Sequence, residues 1–400
     1  MESTRIYRLD QLPARLRQRL YEAQMEAARV WTRCRDLHLA ARREHLPWPD
    51  RDTLQKATKG QFALHSQTIQ MICHKFLTNV ENTQKARRQN PRLRYPYKDK
   101  RFHALYWPAQ AVSVERGRVV LPMGRGRPSL VLHIDLPPDA GACKIVWRDG
   151  YELHVSMNEL LSDEAPRDER AAIDLGEIHQ AAVTTSTGAA LVISGRGIRS
   201  LKRRRNRAFG QIARKRARCQ KGSKRWRKLY RARRTVSARI RRQVRDLRHK
   251  GARLVANFSA EQHVGKVYIG NPDGVRRRPA GRRHNQRMGQ WEYSKDIEYI
   301  THKCAQRRIE SFTGTERGTS SRCPVCGRRQ RKPKGREWIC RYPACGFRGH
   351  RDVVGSVNMH PIAYGQPIPF PQTITYRRPG PVRVRAWDEQ PRAVARVGTS

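Results

Sequence analysis

Apolar residues recur at intervals of three and four from residue 11 to residue 90. In LPARLRQRLYEAQMEAARVWTRCRDLHLAARREH, the positions Leu16, Leu20, Met25, Ala28, Trp31 and Leu37 share one side of a helix of period 3.6. The proline-rich LPWPD at 46–50 breaks this pattern, and a second helical stretch, SQTIQMICHKFLTNVENTQKARRQ, opens near Ser66. From about 95 to 160 the period falls to two. AVSVERGRVVLPMG predicts a hairpin through Arg116-Gly117, SLVLHIDLP a strand, and CKIVWRDGYELHVSMN a hairpin turning at Asp149-Gly150. Arg5–Leu9 predicts one further short strand near the start of the chain.

The acidic stretch LLSDEAPRDER at 160–170 separates this β-rich region from AAIDLGEIHQAAVTTSTGAALVI (171–193), which predicts three more strands. Helical spacing returns between 200 and 250. There Trp226, Leu229, Tyr230, Val236, Ile240, Val244 and Leu247 form one apolar seam, which predicts a helix pair. KVYIG at 266–270 predicts a strand running into the turn formers Asn271, Pro272, Asp273 and Gly274. A basic loop (VRRRPAGRRHNQR), a helix around 290–306 and a strand near 308–313 follow, and DVVGSVNMH predicts a short closing helix. From 361 onward the chain is rich in proline and arginine and has no period, so a disordered tail is expected.

Charge narrows the choice of partner. Lys and Arg total 84 against 34 acidic residues, a formal net charge of +50. Self-repulsion on that scale calls for a polyanion, and nucleic acid is the expected one. The segment 200–250 carries 23 Lys or Arg and a single acid, Asp246, so the predicted helix pair is the natural phosphate-binding face. A solvated charged face or a disordered arm would also carry such a run, but the apolar seam favours helices. No run reaches the ~18 apolar residues a membrane span needs, and MESTRIYRLD lacks the apolar core of a signal peptide. An intracellular protein with reduced thiols is expected.

Reduced cysteines at metal-ligand spacing point to zinc. Cys323-Pro-Val-Cys326 and Cys340-Arg-Tyr-Pro-Ala-Cys345 are two pairs, each followed by glycine (Gly327, Gly346), as expected for a structural four-thiolate site without an open position. The other cysteines, at 34, 73, 143, 219 and 304, are isolated in sequence and expected to be core or surface residues. Two aspartates sit where carboxylates can meet at a sheet edge: Asp174 at the end of Ala171-Ala172-Ile173, and Asp352 at the start of the last helix. Carboxylates on adjacent strand ends can hold Mg²⁺ ions for phosphodiester hydrolysis. Taken singly, Asp174 could be a turn residue and Asp352 a helix cap.

IDLGEIHQAAVTTSTG, TSSRCPVCG and GHRDVVGSVNMH, in this order, resemble the RuvC-like nuclease domain of the TnpB (OrfB) proteins. That is a transposon-encoded family related to the compact type V CRISPR effectors. The resemblance extends over most of 95–360, with RYPYKDKRF and the β-region after it resembling the wedge domain. It implies an α+β multidomain chain. A wedge β-domain, small and β-barrel-like, would comprise 1–10 and 95–160, and a helical recognition lobe 11–94. An RNase H-like (RuvC) α/β domain would comprise 161–322 and 346–360, with basic helices at 200–255, a zinc ribbon inserted at 323–345 and the tail at 361–400. It further implies a guide RNA from the transposon end, target double-stranded DNA, Mg²⁺ at the RuvC site, Zn²⁺ on Cys323, Cys326, Cys340 and Cys345, and a cytoplasmic, nucleoid-associated prokaryotic protein. Asp174 matches the first catalytic aspartate and Asp352 the last.

The middle catalytic motif departs from the family, where this strand ends in Glu. Here it ends in Gly270. Asp273 lies beyond a proline and would have to reach back. Glu316, after the strand at 309–313, is the preferred replacement: that strand should neighbour the one ending at Gly270, and glycine leaves room for its side chain. A turn salt bridge with Arg317 is the plainer role for Glu316, and Glu298 on the preceding helix is the alternative catalytic residue. Two functions remain in view: an RNA-guided DNA endonuclease using Asp174, Glu316 and Asp352, and an RNA-guided DNA-binding repressor with an inactivated site. A strand-transferring transposase is disfavoured, because no tyrosine sits in a His-hydrophobe-His context.

Overall fold

Periods of 3.6 and two in the sequence become two separately packed units. The computed structural model describes residues 2–115, 117–137, 140–158, 161, 168–272, 281–331 and 335–380, and divides the chain between residues 159 and 160. Asp273, most of the acidic stretch and residues 381–400 lie outside the described residues.

The first unit runs β1 (Glu2–Leu9), α1 (Ala14–Arg43), α2 (Arg51–Thr58), α3 (Ser66–Gln89), β2 (Leu105–Trp107), β3 (Ser113–Glu115), β4 (Arg118–Leu121), β5 (Leu130–Leu132), β6 (Ala140–Trp147) and β7 (Tyr151–Asn158). One antiparallel sheet has the order β1-β7-β6-β2 and a second the order β3-β4-β5. Asp149 and Gly150, both at positive φ, make the β6–β7 turn. Leu20, Val30 and Trp31 of α1 join Phe76 of α3 and Leu105, Leu121, Leu130 and Leu153 of the strands in one core. α2 begins where Asp50 caps it, accepting from the Thr53 N–H at 2.9 Å. Cys34 and Cys73, expected to be isolated, are buried together with their sulfurs 3.6 Å apart, because the helical stripes of α1 and α3 face each other.

The second unit begins with the antiparallel strands β8 (Glu169–Leu175), β9 (His179–Thr185) and β10 (Ala190–Ser194). A long helical pair, α4 (Arg196–Ala217) and α5 (Lys224–Glu261), leads to β11 (Val264–Asn271). α6 (Arg282–Gln290) and α7 (Tyr293–Ala305) lead to β12 (Glu310–Thr315). A two-stranded hairpin, β13 (Glu337–Ile339) and β14 (Arg348–His350), precedes α8 (Arg351–Val357), α9 (His360–Tyr364) and β15 (Ile374–Arg377). The main sheet has the order β12-β11-β8-β9-β10-β15, with β11 parallel to both β8 and β12. Strands buried on both faces explain why β8 and β9 read as nearly continuous apolar runs: Ala171, Ile173, Val183 and Val267 face α5 and α7, while Ala182 packs toward α8.

Two expectations need correction here. The tail does not begin at 361. α9 continues to Tyr364, Phe370 packs on Phe347 at 4.9 Å between ring centroids, and β15 pairs in parallel with β10, Ala190 opposite Ile374. Prolines hid this strand from pattern reading. The seam of α5 also splits. Ile240 and Val244 are buried with Ile198 of α4 and Trp291, whereas Trp226 and Tyr230 stack on each other at 5.7 Å near the free end of the helix pair, with Arg216 over both rings.

Candidate active site and metal centres

Asp174 is the sixth residue of β8, paired with Ala182 of β9, so strand geometry puts it at the C-terminal end of the strand. α8 lies across this end. Ser356 donates its hydroxyl to the Ala172 carbonyl at 2.7 Å and sits 2.8 Å from Thr184 Oγ1, which fixes the helix against β8 and β9. The helix comes so close that a Cβ on Gly355 would stand 2.5 Å from Asp174 Oδ2. Only glycine fits between the helix and this carboxylate.

Glu316 follows β12 directly, and Gly270 pairs with Gly314 in the parallel β11–β12 register. The turn after Glu316 is held by the Thr319 hydroxyl, which donates to the Glu316 carbonyl at 2.9 Å, and by Gly318 at φ 85°. Asn358 Nδ2, from the chain just after α8, donates to the Thr319 carbonyl at 2.7 Å and to that of Arg322 at 2.8 Å. The result brings the Glu316 side chain over the vacated position. A Cβ on Gly270 would lie 3.1 Å from Glu316 Oε2, and 2.6 Å from the Cε of buried Met359. Glu298 is exposed on α7. Tyr293 opens α7, and burial, then the charges of Glu316, Glu177, Asp174 and Asp296, push its phenol pKa upward.

Asp352 has different company. His179 Nδ1, at the head of β9, lies 2.7 Å from Asp352 Oδ2. Arg336 donates Nη1 to both carboxylate oxygens, at 2.8 and 3.1 Å, and Arg351 Nε stands 3.5 Å away. Burial alone would raise the carboxyl pKa, but the His179 hydrogen bond and the two guanidiniums outweigh it and hold the pKa at about 2. His350 stacks obliquely on His179, 5.0 Å between ring centroids, and its pKa is lowered chiefly by burial. The ligand atoms of His179, His350 and Asp352 lie within 4.8 Å of one another. Among the described residues, Asp174, Glu316 and Asp352 do not form such a group. Sequence reading did not single out His179, His350, Arg336, Tyr293 or Gly355; the available signal was that His179, His350 and Gly355 lie inside the quoted motifs.

The second metal centre is the four-cysteine cluster. Cys323 and Cys345 have sulfurs 3.7 Å apart, as do Cys326 and Cys340, and all four lie within 4.8 Å of one another. A tetrahedron of thiolates at Zn–S of ~2.3 Å has edges of about 3.8 Å, so the spacing suits zinc. Gly327 and Gly346 both adopt positive φ, allowing the chain to curl past each cysteine pair. The hydrogen bond from the Arg328 N–H leads the causes that lower the Cys326 thiol pKa, whereas burial raises those of Cys323 and Cys340. Trp338 is fully buried against Cys323 and Cys340 and anchors the ribbon on Val354 of α8.

Residues 151–276 match the family model OrfB_IS605, described as "Probable transposase", and residues 293–359 match that of the Cas12f1-like TNB domain. Over these residues the chain is similar to those two families. The first match spans the three antiparallel strands, the basic helices and β11; the second spans α7, β12, the cysteine cluster and α8. The chain is similar in fold to a Cas12f1 solved in an sgRNA–target DNA complex, at TM-score 0.58 and 12% identity, covering 87% of this chain and 83% of that one. A CRISPR-Cas12f ternary complex matches at TM-score 0.40 and 14% identity, covering 86% and 81%. No curated protein matches the chain. The fold is thus a mixed α/β multidomain one like that of Cas12f, with an inserted zinc ribbon.

Proposed function

We propose that the chain is an RNA-guided, Mg²⁺-dependent DNA endonuclease of the TnpB type. It would bind a guide RNA and guide-matched double-stranded DNA beside a short flanking motif, and cut with a single RuvC-like site. The observation that carries this reading is the Glu316 carboxylate lying over Gly270, beside the strand that bears Asp174. A carboxylate absent from the end of β11 is supplied by the strand next to it. Asp174, Glu316 and Asp352 would hold the metal, with oxygen donors that suit Mg²⁺. The metal would supply an activated water and charge stabilisation at the phosphodiester. The chain's own contribution is position: Gly355 admits Asp174 and Gly270 admits Glu316.

The exposed outer part of α4 and α5 would grip phosphates of the guide–target duplex without reading sequence. The helices α1–α3 and the two smaller sheets would serve as recognition lobe and wedge, and the four cysteines would hold Zn²⁺. One observation favours a second reading, guided binding without cleavage: Asp352 is already neutralised by Arg336.

The test is guided cleavage. The protein, purified with RNA transcribed through the end of its gene and the adjoining transposon end, is incubated with plasmid bearing a guide-matched target and a randomised flank. Mg²⁺-dependent, EDTA-sensitive cuts that follow the guide are expected, and Glu316→Gln should abolish them while guided binding persists. Guided binding by the wild type without cuts would establish the second reading.

A further inference from the structure

His179, His350 and Asp352 come from three different elements: the first residue of β9, the last of β14 and the first turn of α8. Their ligand atoms lie within 4.8 Å of one another, a few tenths of an ångström beyond the ~4.2 Å that two ligands of one cation can span at ~2.1 Å each. The His179 and Asp352 side chains are only 11% and 14% exposed. His350 Nδ1 is buried with no hydrogen-bond partner among the described residues, an expensive state for a ring nitrogen unless something binds there. A cation already occupies the edge of the cluster. The Arg336 guanidinium spans both oxygens of Asp352, on a side chain that is 37% exposed and so has room to withdraw.

We propose that His179, His350 and Asp352 form a metal site for a divalent first-row transition ion, probed below with Mn²⁺, which binds by displacing Arg336 from Asp352. Two imidazoles make the donor set a poor one for Mg²⁺, which takes oxygen ligands and retains its waters. Arg336 belongs to the zinc-ribbon segment, so the ribbon carries the side chain that competes with the ion. The site shares Asp352 with the proposed nuclease centre and to that extent rests on the same reading, but its readout is metal binding, not cleavage.

The experiment is a Mn²⁺ titration of the full chain, zinc-loaded and otherwise stripped of metal, with free Mn²⁺ followed by electron paramagnetic resonance. Mn²⁺ is the probe because the four thiolates would compete for Co²⁺ or Zn²⁺. Bound Mn²⁺ that survives an approximately tenfold excess of Mg²⁺ is expected. His350→Ala and His179→Ala should each weaken it by about tenfold or more, with zinc content and melting temperature checking that they fold. Arg336→Met should tighten it, a gain that misfolding cannot mimic. Mn²⁺ affinity unchanged in both histidine variants, displacement by equimolar Mg²⁺, or no binding even in Arg336→Met would each overturn the proposal. Histidine-dependent Mn²⁺ binding in a protein that never cuts a guided target would leave this site standing and remove the nuclease reading.

Discussion

Gly355 and Gly270 set the geometry of the candidate site by lacking side chains. At Gly355 the nearest obstacle is the Asp174 carboxylate itself, a short side chain on a paired strand with little freedom to retreat. Gly355→Ala should therefore cost roughly 1–3 kcal/mol through overpacking. Thermal melting should register this as a loss of about 2–4 °C per kcal/mol. If Asp174 serves the proposed reaction, guided cleavage should fall further than stability does. Asp352 offers a pH test. Its pKa is lowered from 3.8 to about 2, so the unfolded chain binds more protons between those values, and stability must fall as pH falls through them. The contribution, about 2 kcal/mol, is complete above pH ~4 and lost by pH ~2. Denaturant unfolding of the wild type and Asp352→Asn should show a stability gap that closes over that window; a gap independent of pH would mean the ion pairs with Arg336 and His179 contribute little. Asp174, Glu316 and Asp352 could be picked from the sequence because each lies at a strand end or helix start. Arg336 and His350 could not, since their meeting with Asp352 depends on how β13 and β14 fold back on α8.

Among the elements, legibility tracked how local the determining pattern was. α1, α3 and the β6–β7 hairpin are written in spacing and in the Asp149-Gly150 turn, and they appear where that pattern puts them. β15 is not, because a four-residue strand among prolines has no period of its own and exists by pairing with β10. The parallel register that brings Glu316 to Gly270 is likewise non-local, though the expectation of neighbouring strands anticipated it. Truncation after Tyr364 tests the value of the last strand. It would remove β15 and Phe370, leaving the β10 edge uncovered and Phe347 of the ribbon with Trp338 as its remaining ring partner. A lower melting temperature and increased aggregation are expected, since an uncovered apolar edge strand is a pairing template. An unaltered melting curve would show that β15 is a peripheral addition.

At the scale of the whole molecule, charge and fold point the same way. A net charge of +50 favours a polyanionic partner, and its densest run lies on α4 and the first half of α5, where few side chains are buried. The pair is anchored where Ile198, Ile240 and Val244 pack on Trp291, with Arg248 held by Asp296 at 3.2 Å and Glu292 at 2.9 Å, and where Ala252, Val255 and Ala256 of α5 pack on the sheet. Beyond that anchor the helices carry mainly Arg and Lys, with Trp226 and Tyr230 stacked beneath Arg216. Phosphate contact by this outer segment would release counterions, and each contact should add about 0.9 to the slope of log affinity against log salt on a duplex. Lys224, Arg225, Arg227 and Lys228 lie on this segment, all four exposed. Replacing all four with Gln should leave melting nearly unchanged while lowering the slope by up to about 3–4, with guided-duplex binding weakened most at low salt. An unchanged slope would move the phosphate-binding surface elsewhere on the molecule and leave the outer helix pair without its assigned partner.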